Sequence, residues 1–146
     1  MQAIRARDTG PEVALRRALW RIGYRYRLDA RPLQGLNRRA DLVFRSQRVA
    51  VFVDGCFWHG CPQHGRRTHE VNSWYWPVKI QRNRLRDADT DEQLRQAGWT
   101  VVRIWEHESI EDGTIRVIAA LRATRLRGRQ DVLVAALDVS LVARAH

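Results

Sequence analysis

The chain has 146 residues and a mass of 17.1 kDa, the size of one domain with room for a hydrophobic core. Its 26 lysines and arginines against 16 acidic residues give a formal net charge of +10, which is typical of proteins that bind a polyanion such as nucleic acid. No apolar run is long enough for a transmembrane helix, and residues 1–5 contain no apolar signal core, so we expect a cytoplasmic protein.

The pattern along the chain predicts the order helix, three strands, helix, strand, helix, which is a mixed α/β domain. Thr9 and Glu12 have the spacing of a capping box at the start of the first helix, and Gly23 ends that helix. The predicted strands are residues 24–28, 40–44, 48–54 and 99–105, and the later helices are residues 73–97 and 111–125. We expect residues 1–126 to form one domain and residues 127–146 to form a C-terminal extension with no assigned structure.

Two aspartates border the hairpin predicted for the second and third strands. Residues 46–47 read as a two-residue turn, which places Asp41 opposite Phe52. Asp54 lies two residues further on, so Asp41 and Asp54 should project from one face of the sheet, ~7–8 Å apart. Such a pair can hold Mg²⁺ for phosphodiester cleavage, whereas the alternative is two solvated strand ends. A turn longer by one residue would place them on opposite faces.

Glu12 and His59 are two further candidate catalytic residues. Glu12 is either the capping partner of Thr9 or a third carboxylate directed at the same site. His59 lies five residues beyond Asp54 and has a side chain that exchanges protons near neutral pH, although a surface histidine would have the same spacing.

Cysteines and histidines follow the third predicted strand. Cys56 and Cys61 are five residues apart, which suggests metal binding rather than a disulfide, and His64 follows closely. His107, just beyond the fourth predicted strand, is the natural remote ligand, and His69 is its rival. Two sulfur and two nitrogen ligands suit a structural Zn²⁺, while the alternative is two buried thiols and surface histidines.

Aromatic and polar side chains mark a possible DNA surface. Phe57, Trp58 and Trp76 lie among arginines, where exposed rings stack on bases or wedge between base pairs; the alternative is that they cover the core. Trp76, Lys79, Asn83 and Asp87 share one face of the long helix, which suits a nucleic-acid surface or a solvated face. The predicted core positions of this helix are Ile80, Leu85 and Leu94.

Over about residues 1–108, these motifs resemble the very short patch repair (Vsr) DNA mismatch endonucleases. The most specific motif is the run DGCFWH at residues 54–59. The other matching segments are residues 4–9, 11–12, 40–44, 51–53, 75–76, 79–80, 83, 86–87 and 98–106. The order of elements also matches the core of the restriction-endonuclease-like nucleases, so the resemblance implies a mixed central sheet flanked by helices, with a structural zinc.

The resemblance implies an enzyme that nicks the thymine strand of T·G mismatches, which arise when 5-methylcytosine deaminates. Its substrate would be double-stranded DNA, and its partners would include mismatch-repair proteins such as a MutL-type protein, with the enzyme itself a monomer. Asp41 and the backbone carbonyl of Val53 would bind Mg²⁺, His59 would be the catalytic acid or base, and Glu12 would support the site. The residues implied to contact DNA are Met1, Ile4, Phe57, Trp58 and Trp76.

Some positions depart from the family pattern. Asp54 stands where well-known members carry a second histidine, and His107 replaces a cysteine ligand of some members. The loop at residues 33–40 is longer than the usual turn, which motivates a second interpretation as a restriction-linked or modification-dependent DNA nickase. A third interpretation is a zinc-stabilised DNA-binding module without catalysis.

Overall fold

The computed structural model describes residues 8–56, 59–63 and 75–143, with the backbone alone for residues 135–143. The elements in chain order are α1 (Gly10–Ile22), β1 (Arg27–Ala30), β2 (Ala40–Phe44), β3 (Val49–Asp54), α2 (Tyr75–Gln96), β4 (Thr100–Trp105) and α3 (Ile110–Ala143). The predicted order of elements is therefore confirmed. Within these described segments, no helix is both long and apolar enough to cross a membrane.

The four strands form one mixed sheet in the order β1-β2-β3-β4. The β2–β3 hairpin pairs Leu42 with Val51 and Phe44 with Val49, which is the register predicted from a two-residue turn. β4 runs parallel to β3, and helix α2 provides the crossover that a parallel connection requires. Asp41 therefore lies opposite Phe52, and Asp41 and Asp54 belong to the same face of the sheet.

Helices cover both faces of the sheet, as predicted. One face packs against α1 and α3 through a shared set of buried side chains, which includes Leu15, Leu19, Leu42, Val51, Val117 and Leu121. On the other face Leu94 of α2 lies in a second cluster with Val43, Ala50 and Trp99. Strand β3 is consequently buried on both sides, as its continuous apolar sequence predicts.

Several local predictions are wrong or incomplete. Thr9 makes no side-chain cap at α1, although Gly23 ends the helix in the left-handed conformation as expected. The first strand begins only at Arg27, and Tyr24 and Tyr26, which precede it, pack edge-on against Phe44.

Two helices also differ from their predictions. Leu85 of α2 is 61% exposed and is not a core residue, since it lies on the opposite side of the helix from the buried Leu94. Helix α3 runs without interruption through Gly128 to Ala143, so the predicted boundary at residue 125 is not a helix end.

Candidate functional site at the carboxyl ends of β3 and β4

The carboxyl ends of β3 and β4 lie side by side because the two strands are parallel and Asp54 is in register with Trp105. The N–H of Glu106 donates a hydrogen bond to the carbonyl oxygen of Asp54 at 3.0 Å. The N–H of Cys56 in turn donates to Oε1 of Glu106 at 2.9 Å. These bonds fix the start of the loop after β3 against the turn after β4, so side chains distant in sequence meet at this edge.

His59 and Asp87 form the closest polar pair at this edge. The His59 Nδ1–H donates to Oδ2 of Asp87 at 2.5 Å, and the same nitrogen lies 3.8 Å from Oδ1 of Asp54. Asp87 comes from the middle of α2, so the pair joins the loop after β3 to the helix. Gly60 permits this approach, because a Cβ at Gly60 would lie 2.8 Å from Cγ2 of Ile80 on the same helix.

The surrounding charges favour a protonated His59. Burial alone would lower the pKa of His59, but the hydrogen bond to Asp87 and the charges of Asp54 and Asp87 outweigh burial and raise this pKa above its ordinary value. For Asp87, burial opposes ionisation, but the His59 hydrogen bond and neighbouring positive charges lower its pKa. An ionised aspartate that accepts the Nδ1–H of a protonated histidine holds the imidazole in one orientation. The histidine can then donate a proton from Nε2, its other ring nitrogen.

Asp54 is only 5% exposed and is directed at an arginine. Both of its carboxylate oxygens lie 3.0 Å from Nη1 of Arg103. Burial raises the pKa of Asp54 more than the charges of Arg103 and His59 lower it. Asp54 therefore has a cationic partner, and its predicted role in catalysis remains a prediction.

Asp41 lies at the start of β2, on the sheet face that it shares with Asp54. Its Oδ2 accepts the backbone N–H of Val53 at 2.7 Å. The Asp41 carboxylate is thus fixed beside the residue whose carbonyl the family resemblance assigns as a metal ligand. Asp41 does not join the cluster of Asp54, His59 and Asp87, whose ligand atoms all lie within 4.8 Å of one another.

Glu12 is nearly buried at the start of α1. Its carboxylate accepts backbone N–H groups of Asp8 and Thr9, and Oε1 lies 3.9 Å from Nη1 of Arg16. This is the glutamate half of the predicted capping box. Burial and the nearby charge of Asp8 raise the pKa of Glu12.

Three of the four predicted zinc ligands converge. Nδ1 of His107 lies 3.0 Å from Sγ of Cys56 and 3.7 Å from Sγ of Cys61. Both cysteines are buried and form no disulfide, and burial together with the neighbouring Cys61 thiol raises the pKa of Cys56 to about 11. Two thiols and an imidazole within 4.8 Å are a donor set that suits Zn²⁺.

The polar stripe of α2, which is the helix face formed by Trp76, Lys79, Asn83 and Asp87, faces the body of the protein. Trp76, Lys79, Asn83 and Asp87 are each partly buried, and the same face continues to the buried Thr90 and Leu94. Near the start of the helix the Lys79 Nζ lies 5.5 Å from the centre of the Trp76 ring. The stripe is thus not a fully solvated face, and it ends at the candidate site.

Several predicted site residues lie outside the described part of the chain. They are Met1, Ile4, Phe57, Trp58 and His64, together with the alternative ligand His69.

Sequence reasoning missed Asp87 and Arg103 as members of the site. Asp87 was part of the helix stripe, but the stripe alone does not identify which residue meets His59. Arg103 carried a stronger signal, since a charge inside an apolar strand needs a buried partner. Its partners are Asp54, Asp87 and Asp91.

The described chain is therefore an α/β domain that brings a histidine–aspartate pair and a thiol–imidazole cluster to one edge of a mixed sheet. The family model for DNA mismatch endonuclease Vsr matches residues 1–64. The chain belongs to the Vsr family.

Relatives in this family carry two kinds of name. The type II nicking enzyme V.NaeI of Lentzea aerocolonigenes is 49% identical over 123 residues, which cover 83% of this chain and 74% of the relative. The type II nicking enzyme V.XorIIP of Xanthomonas oryzae pv. oryzae is 41% identical over 118 residues, or 79% of this chain and 82% of the relative. The DNA mismatch endonuclease Vsr of Escherichia coli is 33% identical over 106 residues, or 73% of this chain and 66% of the relative.

Proposed function

We propose that this protein nicks the thymine strand of double-stranded DNA at T·G mismatches formed by deamination of 5-methylcytosine. The observation that carries the proposal is the His59–Asp87 pair at the edge of the sheet, beside the hairpin whose first strand carries Asp41. Family membership and the net charge of +10 support DNA as the substrate. As further parts of this proposal, the protein acts as a monomer and contacts a MutL-type partner.

Asp41 and the carbonyl of Val53 are the proposed ligands of a catalytic Mg²⁺. The donor chemistry fits, because Mg²⁺ prefers a few carboxylate and carbonyl oxygens and keeps several waters. The hydrogen bond from Val53 to Asp41 supports this pairing, since it fixes the carboxylate beside that peptide. When bound, the ion would stabilise the charge that develops on the scissile phosphate.

His59 is the proposed general acid. In the nicking step a water molecule loses one proton to solvent as its oxygen forms a bond to phosphorus, the bond from phosphorus to the leaving oxygen breaks, and the leaving oxygen keeps the electron pair. Nε2 of His59 would donate a proton to that oxygen, while Asp87 holds the Nδ1–H on the other side of the ring. The raised pKa of His59 supports the acid role, because it increases the protonated fraction at neutral pH.

Three groups of residues are the proposed DNA contacts. Phe57, Trp58 and Trp76 would act as the wedge beside the mismatch, with Met1 and Ile4 at the minor groove. Lys79 and Asn83 lie one and two turns beyond Trp76 on α2 and would contact the backbone.

A second candidate function is a nickase coupled to a restriction–modification system. The observation that favours it is that several relatives are named type II nicking enzymes. The extended loop at residues 33–40 would then change which DNA sequence the enzyme prefers around the nick.

Cleavage of mismatched and matched duplexes tests the proposal. Purified protein with Mg²⁺ is expected to nick an end-labelled duplex beside the thymine of a T·G pair and to leave T·A and C·G duplexes intact. Asp41→Ala is expected to reduce this rate by at least about 10³-fold with little loss of duplex affinity, since it removes a proposed metal ligand from a strand end.

Other outcomes separate the alternatives. Equal cutting of matched duplexes would favour the restriction-linked nickase. Tight binding without cutting in any sequence context would favour the DNA-binding module. Normal nicking by Asp41→Ala would contradict the assignment of Asp41.

Cys56, Cys61, His64 and His107 are the proposed ligands of a structural Zn²⁺. The convergence of two buried thiols and the His107 ring supports this proposal. Such an ion would tie the loop after β3 to the turn after β4 and offset the entropy lost in ordering the loop.

Cys61→Ser is expected to release zinc and lower the Tm by about 10 °C. Losing a metal ligand costs on the order of 3 kcal/mol, and each kcal/mol moves Tm by roughly 3–4 °C in a chain of this size. Zinc content by elemental analysis and Tm by calorimetry measure the two effects. His59→Gln is the matched control, since this nearby side chain is not a proposed ligand, and it should keep the metal. A Cys61→Ser protein with unchanged zinc and Tm would refute the site.

A further inference from the structure

A groove with a volume of about 930 Å³ opens at the amino ends of β3 and β4, at the end of these strands opposite the candidate site. Its walls are the β2–β3 turn, the segment from the end of α2 into β4, and residues 124–131 of α3. We call this feature the arginine groove, because Arg48, Arg95, Arg125 and Arg127 line it. These four side chains come from three different parts of the fold and converge on one concave surface.

The arginine groove carries an uncompensated positive charge. Among the residues that the structure describes, Asp131 is the one acidic residue in the lining, so this described lining has a net charge of +3 from four arginines and one aspartate. None of the ion pairs among the described residues involves any of these arginines, and the polar side-chain contact of Arg127 is with Oγ1 of Thr100. By contrast, Arg103 and Arg116 elsewhere in the sheet and α3 are each paired with carboxylates.

Phosphate is the ligand chemistry that best fits this lining. A guanidinium group binds a phosphate through two parallel hydrogen bonds and remains charged at any physiological pH. The volume of the groove is near the upper end of the range for small-ligand sites, so it can accommodate several phosphates. Neighbouring Ser46, Gln47 and Thr100 add neutral hydrogen-bonding groups.

The position of the groove separates it from the candidate active site. Strands β3 and β4 each span six residues, so their two ends are about 17 Å apart at ~3.3 Å per residue. The arginine groove lies at the amino ends, whereas Asp54, His59 and His107 lie at the carboxyl ends. Phosphates in the groove would therefore belong to DNA other than the few nucleotides at the scissile bond.

We infer that the arginine groove is a second DNA site, which binds backbone phosphates without reading sequence. The choice of DNA as the source of the phosphates rests on the proposed function. Contacts of this kind carry no sequence information and would hold the protein on DNA between mismatches.

The salt dependence of binding tests this inference directly. The test variant is Arg125→Gln/Arg127→Gln, and the matched control is Arg17→Gln/Arg21→Gln, which removes the same charge from exposed positions on α1. Affinity for a fully matched duplex is measured by fluorescence anisotropy without Mg²⁺ over a series of salt concentrations. The slope of log Kobs against log[salt] is negative, and the groove variant should reduce its magnitude by about 1.8, or about 0.9 per phosphate contact, while the control should leave it unchanged.

The outcomes separate this inference from the proposed function. Equal slopes for the groove variant and the control would overturn the groove assignment, even if the wild-type protein nicks T·G duplexes. A wild-type protein that binds no duplex would overturn the proposed function itself. ATP and inorganic tripolyphosphate are the probes for free phosphate ligands, and arginine-dependent binding of these probes with unaltered duplex affinity would overturn the assignment to DNA.

Discussion

His59→Gln is expected to slow nicking of a T·G duplex by about 10²–10⁴-fold while leaving the affinity for that duplex within a few-fold of wild type. Glutamine can still donate a hydrogen bond toward Asp87, which lies 2.5 Å from Nδ1 of the histidine, but it cannot deliver a proton to a leaving oxygen. Single-turnover nicking with saturating protein measures the loss at the chemical step. A variant that nicks at the wild-type rate would exclude His59 from catalysis.

The pH profile distinguishes an acid from a base at this position. If the protonated form of His59 is active, the single-turnover rate falls as the pH rises through the raised pKa of His59. Asp87→Asn removes the interaction that raises this pKa, so the fall should begin at a lower pH. Asp89→Asn is the matched control, because Asp89 is exposed on the same helix and contacts Gln93 instead. A rate that rises through this pH range would assign His59 as the base.

The hairpin at the site could be predicted from sequence because its turn fixes its register. A two-residue turn at residues 46–47 leaves only one alignment of β2 with β3, and that alignment places Asp41 and Asp54 on one face. The meeting of Cys56 and His107 was predictable for a similar reason. Each residue follows one of two strands whose carboxyl ends adjoin in a parallel pair.

The partners on α2 could not be predicted in the same way. The helix places a side chain every 100° over 22 residues. The burial of Thr90 and the packing of Leu94 against the sheet decide which polar residue reaches the loop. That packing selects Asp87 for His59 and brings Asp91 to Arg103. The length of α3 was also missed, because the apolar residues after Gly128 show no clear helical period.

Arg103→Met is expected to lower the free energy of unfolding by about 3 kcal/mol at pH 7. This is the typical cost of removing one partner of a buried ion pair and leaving the other charge unpaired. Nε and Nη2 of Arg103 lie 2.8–3.1 Å from the carboxylate of Asp91, and Nη1 binds both oxygens of Asp54. The guanidinium also lies 4.4 Å from the centre of the Phe52 ring. Methionine preserves much of the packing but leaves the Asp54 charge buried without its partner.

The loss should depend on pH with a definite sign. Asp54 already has a raised pKa in the folded protein, and removal of Arg103 raises it further. A carboxyl whose folded-state pKa exceeds its unfolded value costs stability as the pH rises through the interval between these two pKa values. The deficit of Arg103→Met should therefore shrink as the pH falls below 7. Urea unfolding at several pH values measures this change.

Two further variants test whether the buried charge is the cause. Arg116→Met is the matched control, since Arg116 also pairs with a carboxylate, that of Glu108, but its side chain is 48% exposed; it should cost under about 1 kcal/mol. Adding Asp54→Asn to Arg103→Met removes the unpaired charge and should recover part of the stability. A deficit that is independent of pH, or that Asp54→Asn does not reduce, would show that Arg103 acts through packing on Phe52 rather than through its charge. Slow nicking by Arg103→Met, with Asp54→Asn alone nicking at the wild-type rate, would show that Arg103 also positions the Asp87 carboxylate against His59, since Oδ1 of Asp87 lies 3.6 Å from Nη2 of Arg103.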